Sequence, residues 1–570
     1  MRRFAALYAE LDASTATEAK LAALQRYLVD AAPADAAWAL YFLAGGKPRQ
    51  TVPTALLRAQ ATAAAGIPDW LFEASYQAAG DLAETIARVL PPPRRHGALG
   101  LAAWLVERLL PLRGATPEHQ AACLHHWWDE LDADQRFLLT KLIGGGLRVG
   151  VSKLLVQRAV ARHAGLDPKL VAQRMMGWTD ARALPSAQRL QALLAADDGS
   201  TPAAGQPYPF FLAHALDAAE HELTARLGPP GDWQAEWKYD GMRAQVVRRA
   251  GQVWIWSRGE ELVTDRFPEA AAQAAVWPDG TVLDGELLAW LPEAPTPAPF
   301  QLLQQRVNRK TLGRKLLGDV PVRFIAYDLL EVDGQDLRAA PLHQRRARLE
   351  ALLAACPGTA VSPRVVADHW AGLAGQRADS RANGVEGLML KHRNSAYGTG
   401  RTKADGVWWK WKIDPLTVDA VLVYAQAGHG RRAGLYTDYT FAVWNRPPAG
   451  AGDAAVVVEA ISQRTPAQPG ALQLVTFAKA YSGLTDDEFK AVDKVIRATT
   501  LEKFGPVRSL RPTLVFELGF EGIARSPRHK SGIALRFPRI LRLRHDKPLH
   551  QADTLATLEG LVTRPGAGTG

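Results

Sequence analysis

The stretch EWKYDGMRAQ, Glu236 to Gln245, sets Lys238 between the rings of Trp237 and Tyr239 and follows it with Asp240 and Gly241, inside an apolar strand pattern. A lysine in a half-buried strand is costly unless it is paired or used. Partial desolvation lowers a lysine pKa, and the neutral amine is a nucleophile. Asp240 and Gly241 allow a tight turn and bring a carboxylate near the amine. Alone, K-x-D-G is a weak signal that recurs by chance, so its meaning depends on what the chain supplies around it.

Downstream, Arg258 stands in WSRGEE at the end of a strand pattern, and Glu286 stands in VLDGELLAW with apolar residues on both sides. A carboxylate in such a strand is expensive unless it meets a hydroxyl, a cation or a metal. Tyr327, in FIAYDLLEVDG, offers a ring on which a base could stack; Glu386 opens EGLMLK, which ends at Lys391. In VWWKWKIDP, strand alternation puts Lys410 and Lys412 on one face and Trp409 and Trp411 on the other. Two lysines on one face suit a phosphate. Taken singly, each of these residues reads as an ordinary surface ion pair; their accumulation argues against that reading.

The chain has 570 residues, enough for roughly three or four domains. Its net charge of +10 fits a polyanionic partner without requiring one. Cys123 and Cys356 are the two cysteines, too few for a four-cysteine zinc site and expected as buried thiols in a reducing compartment. Acidic residues interrupt the apolar N-terminal stretch at once, unlike a signal peptide, and no apolar run is long enough to span a bilayer. The expected location is the cytoplasm, with the nucleoid.

The first part of the chain reads as helices. Phe4, Leu7, Tyr8 and Leu11 keep helical spacing, and Thr15 with Glu18 makes a capping-box signature ahead of Leu21, Leu24 and Leu28. AADDGSTPAAGQP, from Ala195, reads as a linker. Short strands follow (Gln245–Val247, Val253–Trp256, Thr281–Leu288, Arg323–Tyr327, Leu388–Lys391), with a helix expected over His343–Ala354, an α+β pattern with antiparallel hairpins. From about Asp414, TVDAVLVY, YTFAVW, AVVVEA and TLVFELGF read as strands of a small β-barrel of the oligonucleotide-binding (OB) kind. The expected fold is therefore multidomain: an all-α domain over 1–200, an α+β domain over 207–414, an OB-type barrel over 415–563 and a disordered tail over 564–570.

The order K-x-D-G, S-R, G-E, aromatic-D, E-G-x-x-x-K and K-x-K resembles the covalent nucleotidyltransferases, and within them the ATP-dependent DNA ligases. The resemblance covers nearly the whole chain. FLLTKLIGGGLRVGVSK, from Phe137, is similar to a segment of the family's helical DNA-binding domain, and GHGRRAGLYTDYTFAVW, from Gly428, to the first hairpin of its OB-fold. SPRHKSGIALRFPRILRLRHDKP, from Ser526, is similar to the family's last motif, which orients the pyrophosphate leaving group.

The resemblance implies a three-domain ligase in which Lys238 attacks the α-phosphorus of ATP, AMP passes to the 5′-phosphate of a nick, and the 3′-hydroxyl then seals the strand. It implies nucleotide contacts from Glu236 (to the adenine amino group), Asp240, Arg243, Arg258, Glu286, Tyr327, Lys410 and Lys412. The family more often has phenylalanine at the Tyr327 position, and a tyrosine keeps the π-face. A divalent metal, Mg²⁺ or Mn²⁺, would rest on Glu386 with Glu286. Arg539, Arg542 and Lys547 would serve the leaving group, in a cationic run that also holds Arg544. Arg148, Lys153, Arg431 and Arg432 would contact DNA. The expected partner is nicked duplex DNA, encircled by a monomer. An RNA ligase or a capping enzyme fits the helical N-terminal block less well. An NAD-dependent ligase would carry a four-cysteine zinc module, and a catalytically dead DNA-binding protein would not need the lysine and glutamates.

Overall fold

The computed structural model describes the chain except for residues 145, 146, 148, 181–182, 197–204, 308, 310–311, 357, 401–405, 429–434, 482 and 563–570. Arg148, Arg431, Arg432 and the expected disordered tail thus lie outside the described residues. Two compact units form: one from residues 1–53, 95–120 and 141–413, the other from 54–94, 121–140 and 414–570. Among the described residues no helix is long and apolar enough to cross a membrane.

Helices run from Arg2–Ala13 to Ala187–Leu194 before the first strand, His214–Ala215. Phe4, Leu7, Tyr8 and Leu11 are buried on one face of the first helix, and Leu21, Leu24 and Leu28 on one face of the second, Thr17–Asp30. The capping box expected at Thr15 and Glu18 is not formed. The second helix starts at Thr17 with Ala16 as its N-cap, and no side chain caps it. Glu18 instead pairs with Arg162 at 2.7 Å, a partner from a distant helix that local sequence cannot show.

Seven strands carry the centre of the first unit: β1 (Trp233–Tyr239), β2 (Met242–Arg249), β3 (Gln252–Ser257), β4 (Thr281–Ala289), β5 (Val322–Val332), β6 (Val385–His392) and β7 (Trp408–Lys412). They build two sheets. In one, β6 lies between β1 and β7, antiparallel to both, with His214–Ala215 and Arg364–Val365 at the edges. In the other the order is β3, β2, β4, β5, again antiparallel. Asp240 and Gly241 are the step from β1 in the first sheet to β2 in the second. The hydrophobic core of the second sheet includes Val246, Ile255, Leu283, Leu287 and Phe324; Trp233, Leu388, Leu390 and Trp411 belong to that of the first.

Three glycines fix the spacing of these strands. A Cβ on Gly241 would stand 2.5 Å from the Leu287 carbonyl oxygen and 2.9 Å from Glu286 Cγ. One on Gly285 would stand 2.4 Å from the Ile325 oxygen, and one on Gly387 would stand 2.3 Å from the Trp411 oxygen. The backbones approach too closely there for any side chain.

In the second unit, Leu416–Ala427 pairs antiparallel with Tyr436–Trp444, Val507–Leu510 and Val515–Phe520, and Val515–Phe520 pairs with Arg539–Leu543. AVVVEA, expected as a strand, is instead part of the helix Ala451–Ser462. Its β-branched run suggested extension, but Ala454 and Val458 are spaced i, i+4 and bury together, while Val456 faces solvent. Burial of Ala454 in one cluster with Trp444 of the strand Tyr436–Trp444 overrides the local preference.

Candidate active site

Lys238 lies in β1 opposite an irregularity in β6. Val385 faces Tyr239 and Leu388 faces Trp237, so two residues, Glu386 and Gly387, stand against the single Lys238. This β-bulge re-aims the Glu386 side chain, which forms an ion pair with the Lys238 ammonium. Gly387 meets the geometry with a φ of 134°, a conformation nearly restricted to glycine. On the other side of β6, Lys412 Nζ lies 3.5 Å from the same Glu386 oxygen. Lys410 stands two residues away on the same face, opposite Met389. One carboxylate thus gathers lysines from both neighbouring strands, in a site that stays partly open: the side chains of Lys238 and Glu386 are 17% and 16% exposed.

A second bulge serves the other sheet. Asp284 faces Asp328 and Gly285 faces Ala326, leaving Tyr327 as the extra residue of β5. Glu286, one residue on in β4, is opposite Arg243. Burial pushes the Glu286 carboxyl up to about 8, against the opposing pull of Lys238 and Arg243. Burial likewise raises the Tyr327 phenol well above its ordinary range, so the ring remains neutral. Arg243 is tied down: it donates to Asp284 at 3.1 and 2.6 Å, to the Phe211 carbonyl oxygen at 2.7 Å and to the Tyr397 hydroxyl at 3.2 Å. Tyr397 in turn donates to Asp284 at 2.7 Å. This arginine is a fixture of the wall behind Tyr327, whose ring centroid is 5.7 Å from its guanidinium. Arg258 is exposed, and its backbone N–H donates to the Arg243 carbonyl oxygen. Asp240, partly buried, adds negative charge near Glu286.

Glu236 is 1% exposed and accepts from Arg346 Nη1 and Lys391 Nζ, each at 2.8 Å, and from Gln234 Nε2 at 2.6 Å. Arg346 did not stand out in the sequence. It belongs to HQRRARLE, inside the helix expected over His343–Ala354, and Arg345 and Arg346 are both buried in the helix Leu342–Ala355. Arg345 pairs with buried Asp328 at 2.7 Å, next to Tyr327. Asp284, Tyr397 and Trp408 also escaped notice; Trp408 shares the lysine face of β7 and packs with Phe211 and Tyr397.

Lys153, at the start of the helix Lys153–Ala164, pairs with Glu260 and has its ammonium 3.4 Å from the Met175 carbonyl oxygen. In the second unit, Arg539 begins a strand opposite Gly519, and Arg542 Nε donates to Glu517 at 2.5 Å. Arg544 and Lys547 share Asp419, at 2.9 and 2.5 Å.

Among the described residues no group of three or more His, Cys, Asp or Glu is placed to hold a metal. Glu386 and Glu286 are a sparse acidic pair. Such a pair suits a hard cation that keeps several waters and takes its remaining oxygens from phosphate, rather than one caged by protein. The arrangement thus sets three lysines and two carboxylates in one partly open site, a chemistry suited to phosphate and a hydrated cation.

Comparison with known proteins agrees with this chemistry. Residues 1–161 match the model of the DNA ligase N terminus, 211–412 that of the ATP dependent DNA ligase domain, and 463–547 that of the ATP dependent DNA ligase C terminal region. A probable DNA ligase of Koribacter versatilis is 30% identical over 85% of this chain and 82% of its own length. A DNA ligase of Haloferax volcanii is 32% identical over 78% of this chain and 76% of its own. A probable DNA ligase of Opitutus terrae is 30% identical over 99% of this chain, which spans only 63% of that relative. A solved structure named Pmar-Lig_Pre. shares the fold over 95% of this chain, with a TM-score of 0.58 at 14% identity. With three family models in chain order and relatives matched over most of their length, this chain belongs to the ATP-dependent DNA ligases.

Proposed function

We propose that the chain seals nicks in duplex DNA through a lysyl-AMP intermediate on Lys238. The observation that supports this best is the bulge that sets Glu386 against Lys238 with Lys412 on its far side. Lys238 Nζ, once it has lost its proton, bonds to the α-phosphorus of ATP as the bond to pyrophosphate breaks. The 5′-phosphate oxygen of the nick then displaces Lys238, and the 3′-hydroxyl displaces AMP. Each step is an in-line displacement in which fixed positive charge stabilises the transition state. Lys410 and Lys412 supply that charge at the α-phosphate, and Tyr327 provides a ring for adenine. Glu386 and Glu286 would hold Mg²⁺ or Mn²⁺, which when bound neutralises phosphate charge.

In this reading residues 1–200 grip DNA, 207–414 transfer the nucleotide, and 415–563 form an OB-fold whose Arg539, Arg542 and Lys547 act on pyrophosphate. Arg148, Lys153, Arg431 and Arg432 are its proposed DNA contacts, with Arg243 and Arg258 near the nucleotide or the 5′-phosphate. The Lys153–Glu260 pair must open for Lys153 to take that role.

The test is incubation with ATP labelled on the α-phosphate and Mg²⁺, then a chase with nicked duplex. Label on the protein that leaves as the nick seals is the expected result. Label from GTP instead, or label that survives the chase, overturns the DNA-ligase reading.

A further inference from the structure

We propose that Lys20 is a positioning residue for DNA binding, whose buried ammonium turns the peptide N–H groups of Gly150 and Val151 toward a backbone phosphate of the duplex. This rests on the reading of residues 1–200 as the part that grips DNA. Lys20 is 7% exposed and belongs, with Leu21 and Leu24, to the buried residues of the helix Thr17–Asp30. An ammonium there is costly unless its protons find acceptors. Its Nζ donates to the Val149 carbonyl oxygen at 3.2 Å and to that of Gly150 at 2.9 Å. Among the described residues its acceptors are these two peptide dipoles and no carboxylate, so the charge is held without being cancelled.

A trans peptide unit is planar and carries its N–H opposite its C=O. With two successive carbonyls aimed at Lys20, the N–H groups of the same two units, on Gly150 and Val151, face the other way. Val149 is buried and Gly150 exposed, so the other way is toward solvent. The two dipoles carry the buried charge to the surface as a pair of adjacent donors, which suits a phosphate oxygen. Glycine is needed at 150: its φ is 63°, and a Cβ there would stand 3.0 Å from Lys20 Nζ. Beyond the loop, Ser152 caps the helix Lys153–Ala164, its Oγ accepting from the Leu155 N–H at 3.2 Å. That helix packs against Thr17–Asp30, and the Glu18–Arg162 pair ties the two together. Lysine and loop therefore keep their places relative to each other.

The experiment measures two properties of the full chain below the melting temperature of each variant. One is the Kd for a nicked duplex, by fluorescence anisotropy with ATP absent and Mg²⁺ chelated; the other is the rate of labelling from ATP without DNA. For Lys20→Met, Kd should rise about tenfold, the order of one lost hydrogen bond to a charged group, while labelling changes less than about twofold. Lys20→Arg, which keeps the charge and the donors, should recover most of the affinity. Leu24→Ala weakens the same helix through a side chain that makes no hydrogen bond to the loop; it should lower the melting temperature and keep the parental Kd. If Lys20→Met does not fold, Lys20→Gln is read in its place. An equal loss of affinity in Leu24→Ala would mean that the lysine is merely structural and would overturn the proposal. So would a parental Kd in Lys20→Met. A parent that does not bind nicked duplex would instead sink the DNA-gripping reading itself.

Discussion

Lys238 and Lys391 lie in neighbouring strands of one sheet, and each is paired with a glutamate, yet they are built for opposite ends. The Lys238 pair is partly open, 17% and 16% exposed, and sits on a bulge with a second lysine beside its carboxylate. The Lys391 pair is 2% exposed on both sides and is closed by Arg346 and two aromatic rings. An ion pair that water and phosphate can reach is exchangeable, whereas a buried one is a fixed part of the frame. The difference lies in surroundings, because the residue types are identical.

That contrast can be broken at several points. Lys238→Met should abolish the AMP adduct, a loss of at least roughly 10⁴-fold in rate, while thermal stability changes little. A variant that still labels fully would remove Lys238 from its role. Lys391→Met should do the reverse to the fold: removing one partner of a buried pair costs about 3–5 kcal/mol, read as a lower midpoint in denaturant. An unchanged midpoint would show that the two pairs are alike after all. Gly387→Ala strains a φ of 134° and drives a methyl into the Trp411 carbonyl, costing on the order of 1–3 kcal/mol from backbone strain alone. Its adenylation rate should fall as Glu386 loses its aim, and a variant with parental kinetics would show the bulge to be incidental. Lys412→Ala should slow adenylation by about 10–100-fold and weaken nick binding less, separable by single-turnover labelling and gel shift.

The last expected effect concerns the pH dependence of stability set by Glu286. Its carboxyl titrates at about 8 in the fold, above the ordinary 4.5, so the folded state holds the proton more tightly than the unfolded chain. The resulting stability is complete below about pH 4.5 and is lost as pH rises through 8. Glu286→Gln should flatten the melting temperature across that window, and parallel profiles for parent and variant would contradict the assignment.

Much of this site was legible from residue order. Strands expected over Thr281–Leu288, Arg323–Tyr327 and Leu388–Lys391 form over Thr281–Ala289, Val322–Val332 and Val385–His392, the last long enough to include Glu386. The helix expected over His343–Ala354 spans Leu342–Ala355. What stayed hidden was created by packing. The bulges at Glu386–Gly387 and Tyr327 depend on pairing register, which one strand does not encode alone. Arg346 drew no reading because a buried arginine is recognisable only once its acceptors are known, and these come from β1, from Ser362 and from its own helix. The N-cap at Ala16 and the helix over AVVVEA were missed for the same reason: a distant partner outweighed a local preference.

Asp419 carries a consequence for measurements at varied ionic strength. It is the resident counterion of Arg544 and Lys547, supplied by the chain itself. A phosphate taken up by either cation displaces that carboxylate rather than dissolved salt. The slope of binding against salt concentration counts only ions released to solution. It should therefore undercount phosphate contacts made there, and Asp419→Asn should steepen it.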